Sequence, residues 1–327
     1  GGREGEMAIA VVGGTGLIGR HVVEPLAARR SMPVVATCRS RAPVEMQGVR
    51  WVHADLRDPA QASNALAGCS AAVICAGRVS TSTVLRADPV ESILDTLRIV
   101  TNVLEACATL RLSHVVLVSS CTVFPTAEGA VREDMAMAGD PPGTWFGVGW
   151  MHRYLEKQLE WYARSLDRIA SAVVLRPTLV YGPFDDFDPL SGHFLPAFVR
   201  KVVEREKPIR LFGNGRQTRN LIHARDLSAA VEKALHSSGV PFRTFNVATR
   251  DDVSVREILR LLIDIDGFDE AIVELENDEG APPPTLHVSG TPFFDATGWK
   301  PEVDLREGLA DLLVWYRLNR SGESAMR

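Results

Sequence analysis

Residues 7–19 read MAIAVVGGTGLIG. Met7–Val12 is a nearly continuous apolar run, the pattern of a strand covered on both faces. The small residues that follow permit a tight turn, close approach of the backbone to a pyrophosphate, and close packing of the next helix on the strand. Helical spacing then runs over Gly19–Arg30, so the helix N-terminus faces any anion held by the turn. A glycine-rich turn is weak evidence alone. Set between a strand and a helix it is strong, and Gly13, Thr15, Gly16, Leu17, Ile18 and Gly19 become the expected cofactor-facing stretch.

The same alternation continues outward. Val34–Cys38, Arg50–His53, Ala72–Cys75, Val115–Val118 and Ala172–Leu175 read as strands, and Pro59–Leu66, Val90–Leu110 and Trp150–Leu166 as helices. Strand–helix alternation of this kind implies an α/β fold with a doubly wound parallel sheet. After Leu175 the texture changes. A Gly/Pro/Asp-rich loop at Tyr181–Gly192 precedes a helix at Leu195–Glu206, a turn at Gly213–Gly215, a strand at Asn220–His223 and a helix at Leu227–His236. Phe245–Val247 adds a strand, Ser254 caps a helix through Leu262, Pro282–Pro284 mark an extended linker, and Asp304–Tyr316 forms a last helix. The expected division is residues 7–180 with 219–250 for the sheet domain, and 181–218 with 251–318 for a smaller region whose loops lie over the sheet. Residues 1–6 read as a tag remnant or frayed extension.

Composition narrows the function classes. The 327 residues are 24% charged and 46% hydrophobic, which excludes a disordered chain. No apolar run reaches the ~18 residues of a membrane span, and a net charge of −5 gives no ground for a nucleic-acid partner. The five cysteines are odd in number, scattered and mostly within apolar runs. They read as reduced thiols of a cytoplasmic protein, and the histidines show no metal-ligand spacing, so no metal is expected.

The second strand ends in Cys38-Arg39-Ser40-Arg41. An acidic side chain there would hold the ribose hydroxyls of NAD; the guanidiniums of Arg39 and Arg41 instead suit a 2′-phosphate, so NADP is the expected cofactor and NAD the second choice. The plainer reading is two solvated surface arginines. Asp55 and Leu56 follow the third strand, where a carboxylate and an apolar contact would hold the adenine.

With these residues in view, the chain resembles the extended short-chain dehydrogenase/reductase family, in its branch of nucleotide-sugar epimerases, dehydratases and reductases. The likeness spans nearly the whole chain. GGTGLIG has the family's Gly-x-x-Gly-x-x-Gly spacing, Asp55-Leu56 its adenine-side pair, Ala76-Gly77 its small-residue turn beside the cofactor, and Asn102 its helix asparagine. Leu175-Arg176-Pro177 with Val180-Tyr181-Gly182-Pro183, and Gly298-Trp299-Lys300-Pro301 with Leu305–Leu309, are similar to the family's later segments. Pro141-Pro142, Phe146-Gly147, Asp186–Pro189 and His193 before Leu195-Pro196-Ala197 resemble the GDP-L-fucose synthase group. So do Phe212, Gly213-x-Gly215 and Arg219, in its nucleotide-diphosphate segment. The resemblance implies a Rossmann-type sheet with a smaller C-terminal substrate-binding region, Pro177 beside the cofactor, and Phe212 and Arg219 at a nucleotide-linked sugar. It also implies a homodimer through helices near 92–110 and 150–166.

Catalysis departs from that pattern. Ser119–Phe124 resembles the family's Ser-x-x-Val-Tyr segment, with Ser120 at the catalytic serine. Thr122 stands where the fucose-synthase group has a cysteine, with Cys121 its neighbour. The family's Tyr-x-x-x-Lys pair works because residues four apart share a helix face. Here Val148 and His152 occupy those positions, and no Tyr-x-x-x-Lys exists anywhere in the chain. His152 then reads either as a ribose contact or acid, its ordinary pKa lying near 6.5, or as a structural histidine; His193 matches the fucose-synthase group's histidine acid. Asp185, Asp186 and Asp188, near Pro183 and Pro189, read as turn residues rather than metal ligands. The expected function is an NADP-dependent epimerase, reductase or dehydratase of a nucleotide sugar with an atypical active site. The alternative is a catalytically impaired NAD(P)-binding protein acting as a sensor or partner subunit.

Overall fold

The computed structural model describes residues 7–78, 88–188, 192–237, 239–276 and 286–323. The first part of the chain forms β1 (Ala8–Val12), α1 (Leu17–Arg29), β2 (Val34–Cys38), β3 (Val49–His53), α2 (Pro59–Leu66) and β4 (Cys69–Ile74). There follow α3 (Pro89–Thr109), β5 (His114–Val118), β6 (Ala130–Val131), α4 (Phe146–Glu160) and β7 (Ser171–Pro177). The rest comprises β8 (Leu179–Tyr181), α5 (Phe194–Val203), β9 (Ile209–Phe212), β10 (Thr218–His223), α6 (Ala224–Leu235), β11 (Phe242–Val247), β12 (Asp252–Ser254), α7 (Val255–Asp266), β13 (Val273–Glu276), β14 (His287–Val288), α8 (Thr291–Thr297) and α9 (Leu305–Glu323).

Seven strands make one parallel sheet in the order β11-β7-β5-β4-β1-β2-β3. Chain order reverses between β1 and β4, and a crevice opens at the C-terminal ends of strands on either side of such a switch. Successive residues of β1 face opposite layers. Ala10 and Val12 join a core with α2, α3 and α4, built on Leu66, Leu104, Cys107, Leu155 and Leu159. Val11 joins the other core, with Val22 and Val23 of α1 and Leu227, Ala230 and Val231 of α6. A third core lies apart from the sheet, where Leu195 and Val199 of α5, Ile258 and Leu262 of α7, and Leu309 and Leu312 of α9 pack together.

Local chemistry explains the helix starts. Asp58 and Asp88 cap α2 and α3 with their carboxylates, each followed by a proline in the first turn. Ser254 caps α7 by accepting from the Glu257 amide at 3.1 Å, and Gly267 ends that helix at φ 63°. Several boundaries differ from the sequence expectation: the last helix runs on to Glu323, α7 to Asp266, β11 starts at Phe242 and β4 at Cys69, and α4 differs at both ends. α4 starts at Phe146 rather than Trp150, because Gly147 and Gly149 serve close packing and do not break the helix. A Cβ on Gly149 would meet the Thr122 carbonyl at 2.5 Å. The last stretch of that expected helix, Trp161–Ser165, is π-helical. The strands β8, β9, β12, β13, β6 and β14 are only two to four residues long and carry too little periodicity to be read. The proline linker at 282–284 lies outside the described residues.

Candidate active site

The turn after β1 is held from beneath. The Gly13 amide donates to Thr37 Oγ1 at 2.9 Å, the Gly14 amide to the Thr37 carbonyl at 2.9 Å, and the Gly16 amide to the Gly13 carbonyl at 3.2 Å. Gly13 has φ +86° and lies so near β4's exit that a Cβ would sit 2.9 Å from the Ala76 backbone. Gly19 is tighter still, its missing Cβ falling 2.1 Å from the Gly13 carbonyl oxygen. Gly19 does not face the cleft; it lets α1 press on the turn. Gly16 caps α1 without a side chain, which leaves the first helical amides for a ligand.

A cleft of about 790 Å³ runs along the C-terminal ends of the sheet strands. It brings together Gly13, Thr15, Gly16, Leu17, Ile18, Arg39, Arg41, Asp55, Leu56, Ala76, Gly77, Pro177, Ser120, Thr122, His152, His193 and Arg219. Phe212 ends β9, and its side chain lies outside the described residues. At one end Arg39 and Arg41 form no ion pair among the described residues. Asp55 is already matched, its carboxylate taking a fork from Arg57 at 2.6–3.1 Å that holds it down to about 2. Asn102 of α3 donates to the Leu56 and Arg57 carbonyls at 3.0 and 2.9 Å and so fixes that loop. At the other end Arg219 reaches only the Thr218 carbonyl, at 2.7 Å, and forms no ion pair among the described residues.

The middle of the cleft is nearly neutral. Thr122 Oγ1 and the Thr122 amide donate to Ser120 Oγ at 3.0 and 3.2 Å, which aims the serine hydroxyl. Val148 and His152 both line the cleft one turn apart on α4, whereas Tyr154 is 57% exposed. Among the described residues lining the cleft there is no tyrosine and no lysine. Burial pulls His152 down to about 4 and lowers His193 as well, so both imidazoles are neutral at pH 7. Burial also pushes the thiol of Cys121 up to about 11 and that of Cys75 to about 12. All five cysteines are unpaired. Among the described residues no cluster of three or more His, Cys, Asp or Glu side chains is placed to hold a metal.

Beneath this surface lies a buried network that the motif reading did not single out. Glu156, one turn beyond His152, accepts from Ser119 Oγ at 2.6 Å and from Arg176 Nη2 and Nε at 2.6 and 3.0 Å. Arg176 also donates to the Glu133 carbonyl at 2.9 Å, and Glu133 in turn accepts from the Asn246 amide at 2.8 Å. Arg153 holds the Val123 and Gly139 carbonyls at 2.9 and 2.5 Å. The signal was present: Arg176 is an arginine inside an otherwise apolar strand, and a buried charge of that kind requires a partner. Thr37, which anchors the glycine turn, gave no such signal.

A glycine turn at a switch-point crevice, with unsatisfied helix amides and free guanidiniums beside it, defines a dinucleotide-binding protein of the doubly wound class. The sequence profile of the NAD dependent epimerase/dehydratase family matches residues 9–248, and the chain belongs to that family. Its residues fit NAD(P), which members of the family bind. Among relatives, the chain is 29% identical over 239 residues to a probable GDP-L-fucose synthase 1 of Oryza sativa subsp. japonica, covering 70% of each chain. It is 28% identical over 326 residues to a dTDP-4-dehydro-6-deoxy-D-allose reductase of a Streptomyces species, covering 95% of this chain and 97% of the relative. In fold it is similar to the UDP-glucose 4-epimerase of Thermotoga maritima, with TM-score 0.82, 22% identity, and 96% and 100% of the two chains covered. Among the described residues no helix is long and apolar enough to cross a membrane.

Proposed function

We propose that this protein is an NADP-dependent epimerase, reductase or dehydratase of a nucleotide-linked sugar, working without the family's Tyr/Lys pair. The observation that carries this reading is a cleft with guanidiniums at both ends that form no ion pair among the described residues. Arg39 and Arg41 suit a 2′-phosphate beside the glycine turn, and Arg219 suits the diphosphate of a nucleotide sugar. Bound there, the nicotinamide supplies or accepts a hydride. The protein's own part is to hold the sugar oxygen against Ser120, whose lone pairs and hydroxyl are oriented by Thr122, and to move a proton next to a keto group. His193, neutral at pH 7 and facing the cleft, suits that transfer as a base. His152, neutral and without a hydrogen-bond partner among the described residues, suits a ribose hydroxyl. The named relatives, a GDP-L-fucose synthase and a dTDP-sugar reductase, support this class of substrate.

The exposed apolar side chains Val90 and Leu94 of α3 and Phe146, Trp150 and Tyr154 of α4 support a homodimer through these helices. The substitution of Val148 for tyrosine favours a second reading, a dinucleotide-binding subunit that no longer catalyses. Incubation with NADPH and a panel of 4-keto nucleotide sugars, followed by absorbance and product mass, separates the two. Turnover that falls on His193→Ala supports the enzyme. NADPH binding with no turnover of any substrate leaves the second reading.

A further inference from the structure

The loop between β8 and α5 carries a side chain that the proposed chemistry leaves unused. Asp185 is only 7% exposed yet lines the cleft. One carboxyl oxygen accepts from the Asp186 amide at 2.7 Å, and the other has no hydrogen-bond partner among the described residues. No cation forms an ion pair with it there. A buried carboxyl in that condition is costly when ionised and left alone.

Its neighbours fix which end of the cleft it occupies. The ring of Phe184 meets His21 edge-on at 5.6 Å, and the Arg20 guanidinium stands 5.2 Å from the same ring. Arg20 and His21 directly follow the first turn of α1, so the loop rests beside the free amides of Leu17 and Ile18. The cation whose field reaches the carboxyl is Arg41, which lines the same cleft. Asp185 therefore stands at the end of the cleft that carries the anion-holding turn and the arginine assigned to a 2′-phosphate.

The geometry points to Asp185 as a further contact for the phosphate–ribose backbone of the dinucleotide, made as a hydrogen-bond donor, so that the dinucleotide binds with uptake of a proton from solvent. This rests on the NAD(P) reading given above. An ionised carboxylate at this place opposes the ligand's phosphates, whereas the neutral acid donates to a phosphate or ribose oxygen. Burial pushes Asp185 up to about 7, so the proton is exchanged near neutral pH. The charged and titratable groups around it are Asp186 on its own loop, Arg41 after β2, Arg20 and His21 of α1 across Phe184, and His193 at the loop's far end. Both histidines have lowered values and stay neutral above pH 7.

The test is dinucleotide binding without substrate, by ligand fluorescence and calorimetry, on wild type and Asp185→Asn. NADPH and NADH are both used, because NADH has no 2′-phosphate to titrate. Between about pH 7 and about pH 8.5 the wild-type Kd for each should weaken by roughly tenfold, as expected for one coupled proton. Asp185→Asn should be flat and tighter than wild type at the upper end. Calorimetry of the wild type in two buffers of different ionisation enthalpy should show close to one proton taken up at the upper end, on the order of what single-site linkage requires. Equal slopes in the two proteins, or no proton uptake by wild type, overturns the role of Asp185 while leaving dinucleotide binding intact. If neither dinucleotide binds wild type at any pH, the NAD(P) reading fails and takes this inference with it.

Discussion

Replacing Glu156 by Gln isolates one charge at near-constant volume. In wild type the carboxylate has three short donors, and its main partner Arg176 is itself buried. The amide oxygen of Gln can still accept one of these bonds. Its NH2 group, however, must face either Ser119 or a guanidinium with protons of its own. Arg176 then keeps the Glu133 carbonyl, at most one bond to the amide oxygen, and its place over the Phe124 ring, with centroid distance 5.4 Å, and has no counter-charge. Breaking a buried pair by neutralising one partner costs about 3–5 kcal/mol, because the remaining charge is left uncompensated in low dielectric. Removing both charges together is different. Glu156→Leu with Arg176→Met deletes the desolvation cost along with the attraction and should lie well above the sum of the single variants. The assay is urea unfolding of wild type, Glu156→Gln, Glu156→Leu, Arg176→Met and the double variant at pH 7. Glu156→Gln within about 1 kcal/mol of wild type, or strictly additive single and double variants, would falsify the claim that this pair fastens α4 to the strand ends under Ser119 and Ser120.

Two further outcomes follow from the cleft and a third from a buried histidine outside it. Arg39→Ala should weaken NADPH binding about tenfold, near the loss of one charge-assisted hydrogen bond, and leave NADH unchanged; equal loss for both in a binding titration refutes the 2′-phosphate assignment. Val148→Tyr with His152→Lys should raise hydride transfer at least about tenfold, since a positioned proton donor is commonly worth more than that. No gain in a folded double variant, followed at the nicotinamide absorbance, argues against the register placed on α4. His223 is held down to about 3 by burial, its Nδ1 accepting the Arg225 amide and its Nε2 sealed without a partner among the described residues. Its folded pKa is below the unfolded one, so the neutral ring's contribution is complete above about pH 6.5 and is lost as pH falls toward 3. The stability advantage of wild type over His223→Asn should therefore shrink on acidification below about pH 6.5, and a constant difference in urea midpoint across that range sinks the reading.

Most of the wound sheet could be read because its strands are continuous apolar runs and its helices start at strong local signals. Asp58-Pro59 and Asp88-Pro89 are cap and first turn written in adjacent residues, and the glycine turn needs its spacing for steric reasons that any sequence must obey. The cleft residues beside the glycine turn were legible for the same reason, since they sit at fixed offsets after the ends of β1 to β4. What stayed hidden depends on distant partners. The span of α4 was obscured because Gly147 and Gly149 look like breakers until Ile93 and the Thr122 carbonyl are seen against them. Asp185 looked like one more turn residue among three aspartates, and only the fold shows it buried beside α1 while Asp188 stays exposed. The short strands of the third core are defined by partners more than twenty residues away, such as β9 with β13, and not by their own composition.

Electrostatics gives the cleft its sense. Burial has removed charge from the imidazoles of His152 and His193 and from the thiols of Cys75 and Cys121, while Asp55 is matched by Arg57 and Asp95 is reached by Arg57 and Arg78. What remains are guanidiniums at the two ends, the carboxyls of Asp185 and Asp186 on the loop after β8, and a polar, uncharged centre around Ser120, His152 and His193. Such a field favours two ligands, each anionic at its outer end and neutral where they meet, and it opposes a ligand with charge at the centre. The family's Tyr/Lys pair would have placed a cation in that centre. On the reading proposed above, Ser120 and the two neutral histidines handle the proton in its place, and the chemistry should then be slower at transferring hydride than at exchanging protons beside a carbonyl. The ratio of those two rates, read as deuterium incorporation against nicotinamide oxidation on one substrate, is the quantity in which Val148 should be visible.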